Sequence, residues 1–322
     1  MLSRVAENLY WLGRDLERVE NIARMAEVSH TVSVESGGVD GDQHAWDAVL
    51  AATGSLGLYN EAHKDDPQLT PAEFLLLSSA NPNSLRRTLV VARALARELR
   101  EQLSREVWEE INRIYLDVHA TRTDFRDFRD GMHAFCDQVR SGVASILGLF
   151  DNTVLMDEGR DWFRCGVYLE RADMTSRIVD AKYFVLLPSA QDIGGALDRS
   201  QWVAVLRSAS AWQAFRMTHR GAITGPRVAT MLVRGEQFPR SLYFCVRAFR
   251  RHFEAASDRT PAGQTIHVAR ELALLDLDLA SVDEAALVRQ GVHEFMDGFQ
   301  ARLIDVDRLL HEHIFRVLPS VA

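Results

Sequence analysis

The chain runs to 322 residues with 47% hydrophobic and 25% charged side chains, an ordinary balance for a globular protein with ample length for a buried core. A net charge of −8 gives no general attraction to phosphate backbones or anionic membranes, so neither nucleic acid nor a membrane is an expected partner. Cys136, Cys165 and Cys245 lack metal-ligand spacing, the first turns carry Arg4, Glu7, Arg14 and Asp15 instead of a signal-peptide core, and apolar runs such as Phe184-Val185-Leu186-Leu187 are too short to cross a bilayer; the expectation is a cytoplasmic protein in a reducing compartment.

Leu2 to about Ser29 places Val5, Leu9, Leu12, Leu16, Val19 and Ala23 at three- and four-residue steps, which predicts one long helix. The breakers from Gly37 to Asp42 predict a loop, followed by a helix from about Ala45 to Ala62 and a turn at Asp65-Asp66-Pro67. A short helix starts at Pro71, and Asn81-Pro82-Asn83-Ser84 reads as the capped start of another reaching about Leu103. Trp108, Ile111, Ile114 and Val118 mark the next, and Asp124 to about Phe150 the one after. Further helices are expected from Asp157 to Leu187, Ser200 to His219, Pro226 to Arg234, Pro239 to Ala256, Thr265 to Leu275 and Val282 to Val317, separated by Pro188, Gly194-Gly195, Gly225-Pro226 and Pro261-Ala262-Gly263. Period-two alternation is nearly absent, so the fold class is all-α.

The chain writes one stretch twice. Gly13 to Arg24 and Gly166 to Arg177 share the pattern G-x-x-L-E-R-x-[ED]-x-x-x-R, with Glu17 and Glu170 153 positions apart. Four further blocks return in the same order at slowly growing distance: Trp46 and Trp202, Pro71 and Pro226, Pro82-Asn83-Ser84 and Pro239-Arg240-Ser241, and the G-x-H-x-F-x-D runs from Gly131 and Gly291. This predicts a helical bundle built by tandem duplication of a roughly six-helix unit, residues 1–152 and 153–322, forming one pseudo-twofold domain.

Helical spacing puts Gly13, Glu17, Glu20, Asn21 and Arg24 on one face, flanked by apolar residues on both sides, and Glu170, Asp173 and Arg177 on the matching face of the second copy. A charge in such surroundings must be paired. Arg18 and Arg171 point about 100° from their neighbouring glutamates and so must each reach another helix. The expected arrangement is a buried ionic network meeting near a pseudo-twofold axis. It has two readings: a lock on helix register, or a site at which Arg14, Arg18, Arg24, Arg171 and Arg177 hold a carboxylate or phosphate. Gly13 and Gly166 would admit a neighbouring backbone, a substrate or the other helix.

The opening Leu-Ser-Arg-x-Ala-Glu-Asn-Leu-Tyr-Trp-Leu-Gly-Arg-x-Leu-Glu-Arg, the Asn-Pro-x-Ser at Asn81, Trp108-Glu109-x-Ile111-Asn112, Tyr168 to Asp173 and Phe238-Pro239-Arg240-Ser241 resemble the bacterial alpha-E family, an all-helical domain named for its Glu-Arg motif. The resemblance covers essentially the whole chain. It implies a setting beside, or fused to, ATP-grasp proteins and transglutaminase-like peptidases, within a peptide or amide ligase system. One departure is Val167, where an arginine often follows the glycine; Arg14 keeps that place in the first copy.

Other residues carry weaker expectations. His133 with Asp137, and His293 with Asp297, have the spacing of a shared metal or an oriented imidazole, but no further ligand stands at helical spacing in the first copy, so no metal is expected. His311 and His313 face different ways. Ser84 and Ser241 fit helix caps better than nucleophiles. Arg240, in a first helical turn, could join that turn's amides around an anion, although the first copy has Asn83 there. Arginine-rich faces from Arg86 and Arg247 read as solvated surface. The chain has neither G-x-x-x-x-G-K-[ST] nor G-x-G-x-x-G, so no cofactor is expected and any ATP would come from a partner.

These readings leave three functions open. The first is an accessory component of an ATP-grasp-type ligase system that binds an anionic small molecule, a peptide or the partner at a network of Arg14, Glu17, Arg18, Glu20, Arg24, Glu170, Arg171, Asp173, Arg177 and Arg240. The second is an enzyme of amide chemistry with Glu17 or Glu170 as general acid or base. The third is a structural scaffold or homo-oligomer.

Overall fold

The apolar steps that open the chain close into a single helix, α1 (Ser3–Glu35), in the computed structural model, which describes residues 1–35, 41–121, 128–185 and 194–315. From Leu9 to Ala26 no residue of α1 is exposed. An amphipathic surface helix would leave one side in water; α1 instead runs through the middle of the molecule and keeps its charges inside. The chain continues through α2 (Gly41–Ala52), α3 (Leu56–Asp65), α4 (Pro71–Leu76), α5 (Leu85–Glu98), α6 (Arg105–Ala120) and α7 (Phe128–Thr153). It then enters a second central helix, α8 (Glu158–Val185), followed by α9 (Ala196–Ser208), α10 (Trp212–Thr218), α11 (Gly225–Arg234) and α12 (Leu242–Ala256). Last come α13 (Ala262–Ser281), α14 (Glu284–Gln290), α15 (Val292–Leu310) and a single π-helical turn, His311–Phe315. Among the described residues there is no strand, and no helix is long and apolar enough to cross a membrane. The fold is all-α.

The bundle is organised around the crossing of α1 and α8. A Cβ added to Gly13 would fall on the carbonyl of Phe163, and one added to Gly166 on the carbonyl of Tyr10. The two backbones therefore meet with no side chain between them, which only glycine permits at both positions. Of the occupants the glycines could admit, the one found is the other helix. Around this crossing the contacts are matched: α1 packs on α5 and α7, α8 on α12 and α15, while α2 lies against α8 and α9 against α1.

The structure has more helices than the expected six per half, because single residues cut periodic runs. The run from Ala45 to Ala62 is split at Gly54 (φ 66°) and that from Ser200 to His219 at Ser210 (φ 53°). In each case the helix ends in a left-handed residue, and the next amide bonds back five residues, Ser55 N to Leu50 O at 2.7 Å and Ala211 N to Leu206 O at 2.6 Å. The run from Val282 to Val317 is cut at Gly291 (φ 90°). α2 begins at Gly41, inside the expected loop, and α13 outruns its expected end at Leu275. The rest of that loop up to Asp40, the helix start at Asp124, Pro188 and the end at Val317 lie outside the described residues.

Gly13→Ala should lower unfolding free energy by about 2–3 kcal/mol, since a backbone and not a flexible side chain must move. Gly148→Ala, in α7 with nothing within 4 Å of the added methyl, should instead raise it by about 0.5–1 kcal/mol. Urea midpoints at constant slope read both effects.

Candidate functional site

The Glu-Arg pairs lie where α1 and α8 cross, and they exchange partners. Arg18 donates from Nε to Glu170 Oε1 at 2.6 Å and from Nη2 to Oε2 at 2.8 Å. Arg171 donates from Nε to Glu17 Oε1 at 2.9 Å and from Nη2 to Oε2 at 2.7 Å. Each glutamate is thus clamped in two-pronged fashion by the arginine that follows the other glutamate in sequence, the strongest geometry open to this pair of side chains. Both carboxylates are 1% exposed.

A second arginine completes each clamp, from a different source in each case. Glu170 Oε2 also accepts from Arg14 Nε at 3.0 Å; Arg14 then reaches Asp307 Oδ1 at 2.9 Å, which Tyr10 Oη shares at 2.6 Å. Glu17 Oε1 accepts from Arg240 Nη1 at 2.6 Å, and Arg240 Nη2 donates to Glu20 Oε2 at 2.8 Å. Arg240 therefore turns away from its own helix start toward α1, and does not join the α12 amides around an anion. Arg24 pairs with Glu20 and Asn21 and donates from Nε to Ser208 O on α9 at 2.6 Å. Arg177 stays with Asp173, Nε 3.0 Å from either oxygen. Of the ten network residues expected from the sequence, eight are bonded into the Glu17 and Glu170 clamps, while Asp173 and Arg177 pair with each other along α8.

Electrostatics follow from this pairing. Burial alone would raise the Glu17 carboxyl, but Arg171 and Arg240 hold it well below the usual range; Arg18 and Arg14 do the same for Glu170. Glu20 is lowered too, with Arg24 and Arg240 outweighing burial. Asp173 goes the other way, raised by burial and by Glu170 in spite of Arg177. Burial and the neighbouring Arg240 bring Arg24 down to about 10. A carboxylate held ionised with both oxygens occupied has little tendency to take a proton, which weighs against Glu17 or Glu170 as a general base.

Sequence reasoning passed over several participants. Asp15 is buried on α1, its nearest cation being Arg18 at 3.7 Å, and burial pushes its carboxyl up to about 7. Lys182, 1% exposed, pairs with Asp198 at 2.9 Å and lies over Trp202. The two histidines do not pair with the aspartates four residues on. His133 Nδ1 is 2.7 Å from Glu27 of α1, and His293 Nδ1 2.6 Å from Asp180 of α8. Glu27 and Asp180 are 153 positions apart, the spacing of the Glu-Arg pairs, and that signal could have revealed them. Among the described residues no group of three or more histidines, cysteines or acids is placed to hold a metal ion. Ser84 and Ser241 cap α5 and α12, accepting from Arg87 N and Phe244 N.

Beside the Glu17 clamp lies a cavity of about 230 Å³, between α7 (Asp137, Arg140, Ser141, Leu147) and the Glu20–Arg240 pair. It is one of the places where the network approaches the surface; Arg18 and Arg177 are others.

Glu17→Gln and Glu170→Gln should each cost about 3–5 kcal/mol of stability, because each leaves buried guanidinium groups without their anion. Asp15 predicts a pH effect of definite sign. Its folded-state carboxyl titrates above the unfolded value of 3.8, so between about pH 4 and 7 the folded chain holds a proton that the unfolded chain lacks, and stability rises as pH falls through that window. Asp15→Asn should stabilise the protein at pH 8 by roughly 2–4 kcal/mol and flatten the profile, as measured by denaturant unfolding at fixed salt.

Neither a curated protein nor a solved structure matches this chain. A family model does, over residues 1–315, and it describes a predicted α-helical domain with a conserved ER motif. The chain's own Glu-Arg pairs, Glu17-Arg18 and Glu170-Arg171, are the residues that α1 and α8 exchange, and the chain belongs to the Alpha-E family.

Proposed function

We propose that this protein is a binding component, and not the catalyst, of an ATP-grasp-type amide or peptide ligase system, with a transglutaminase-like protein as a further partner. The observation that carries the reading is the saturation of the Glu-Arg network: both oxygens of Glu17 and of Glu170 are occupied by arginines, and both carboxyls are held ionised. Such a network holds helices and does not move protons. Its arginines are correspondingly engaged, so ligand binding is assigned to the cavity at its edge, where Arg240 and Glu20 present the network to α7.

The ligase setting is drawn from the family resemblance, and the absence of a phosphate-loop motif in the sequence agrees with a partner supplying ATP. We read the two halves, 1–152 and 153–322, as copies of one ancestral unit within a single domain. The repeated motifs and the exchanged contacts support that reading. Cytoplasmic residence belongs to the same proposal.

Affinity capture of the tagged chain from its native host should recover an ATP-grasp-type protein, and the reconstituted pair should form an amide that neither forms alone. Capture without such a partner, or amide formation by this chain by itself, would overturn the assignment.

A further inference from the structure

We infer that the groove between α5 and α6 is a docking site for an acidic peptide segment of a partner protein, recognised through its side-chain carboxylates. The two helices run antiparallel across a short turn, and their facing ridges differ in chemistry. Arg93, Arg97 and Arg100 stand at four- and three-residue steps on one wall, and Trp108, Asn112 and Tyr115 at the same steps on the other. The ridges interleave: the Arg100 guanidinium lies 5.4 Å from the Trp108 ring, and that of Arg93 5.8 Å from Trp108 and 4.3 Å from Tyr115. Arg93 Nε donates to Asn112 Oδ1 at 2.8 Å. Trp108 and Tyr115 are rooted in the core, so they hold these cations in place without neutralising them.

The charge is reachable and uncancelled. Both Nη atoms of Arg93 bond nothing among the described residues, and neither is closed off from solvent. Arg97 and Arg100 are exposed and carry no hydrogen bond or ion pair among the described residues. The nearby acids are committed elsewhere: Glu109 to Arg105, Glu110 and Asp117 to Arg113 on the α7 side, Glu98 to Asn8 of α1. Glu106 stands about 160° round α6 from Trp108. Glu101, in the turn, pairs with none of the three arginines, and even counted against them it leaves two positive charges in the groove.

α12 shows the alternative. Its Arg250 lies 157 positions beyond Arg93, the spacing of the two serine caps, and it is neutralised by Glu254 at 2.9 Å and Asp276 at 3.0 Å. Where α12 has Glu254, α5 has Arg97. A carboxylate from outside would complete on α5 what α12 completes for itself.

A peptide fits this groove better than a nucleic acid. Tyr115 has Arg93 over it and His119 stacked at 4.0 Å, and Trp108 has two guanidiniums, so the rings are not free as platforms for bases. Val90 and Leu116, exposed one turn from Arg93 and Asn112, offer apolar contact to peptide side chains. The net charge of −8 opposes a long polyanion but not a short acidic segment.

The groove shares no residue with the cavity beside the Glu17 clamp, so the inference stands apart from the ligase setting. Its test is fluorescence anisotropy of labelled hexaglutamate with the full chain at about 50 mM salt, against hexathymidylate and hexalysine. Hexaglutamate should bind, hexathymidylate about tenfold more weakly, and hexalysine not at all. Arg97→Gln combined with Arg100→Gln, both at exposed positions, should weaken hexaglutamate about tenfold with an unchanged melting curve. Arg289→Gln combined with Arg308→Gln, which removes the same charge from α14 and α15, should leave binding unchanged. No anisotropy change up to about 0.5 mM protein, or hexathymidylate binding as tightly as hexaglutamate, would overturn the inference. So would self-association in sedimentation that the Arg97 and Arg100 substitutions abolish, since the occupant would then be a second copy of this chain.

Discussion

Everything in this fold depends on four charged side chains that cannot be satisfied within their own helix. Glu17 and Arg18 are neighbours in sequence and so point about 100° apart, as do Glu170 and Arg171. Once α1 and α8 are buried, each glutamate must find its cation elsewhere, since an unpaired carboxylate in the interior is prohibitive. Crossing the helices at Gly13 and Gly166 brings them close enough for a reciprocal solution: Glu17 takes Arg171 and Glu170 takes Arg18. Apolar packing alone would tolerate a slip of one helix along the other. The exchange would not, because a one-residue slip turns both clamps away at once. Burying these charges is no more favourable than burying well-packed apolar residues; what it adds is a single register.

The exchange is symmetric at its centre and asymmetric at its edge. Each glutamate needs a second arginine, and the two obtain it differently. Glu170 uses Arg14, whose counterpart across the crossing is Val167; Glu17 uses Arg240, whose counterpart is Asn83. The arginine missing on one side is replaced from a loop on the other. The replacement comes from outside the central pair, and so it places Glu20 and Arg240 next to α7 beside an open cavity, whereas Arg14 runs inward to Asp307 and Tyr10.

The sequence made part of this legible. Periodicity marks the helices, and the 100° between each glutamate and the arginine after it requires another helix for Arg18 and for Arg171. What periodicity could not show were the cuts at Gly54 and Ser210, because one left-handed residue ends a helix without disturbing the apolar steps on either side. Spacing along one helix also left the partners of the histidines open: His133 and His293 lie within local reach of Asp137 and Asp297, yet they turn to acids on α1 and α8. Local spacing sets which contacts are available, and packing chooses among them. Asp307 was hidden for another reason, since Leu147 occupies its matched position and the repeat therefore gave no hint of a charge.

Function has to be sought where pairing is incomplete. Inside the crossing each glutamate is ionised, immobile and fully bonded, so a substrate would have to break a buried ion pair to engage it. Asp15 is one exception in the interior: with Arg18 committed to Glu170, only a 3.7 Å contact remains to it, and burial pushes its carboxyl up to about 7. At the edge the balance differs. Arg140 keeps an unbonded Nε, Asp137 an unengaged carboxylate, and Arg240 is held still by the very glutamates that neutralise it. A fixed guanidinium loses little freedom on meeting a ligand, so the rigidity that the exchanged pairs impose at the centre extends, one helix away, to the wall of the cavity proposed for binding.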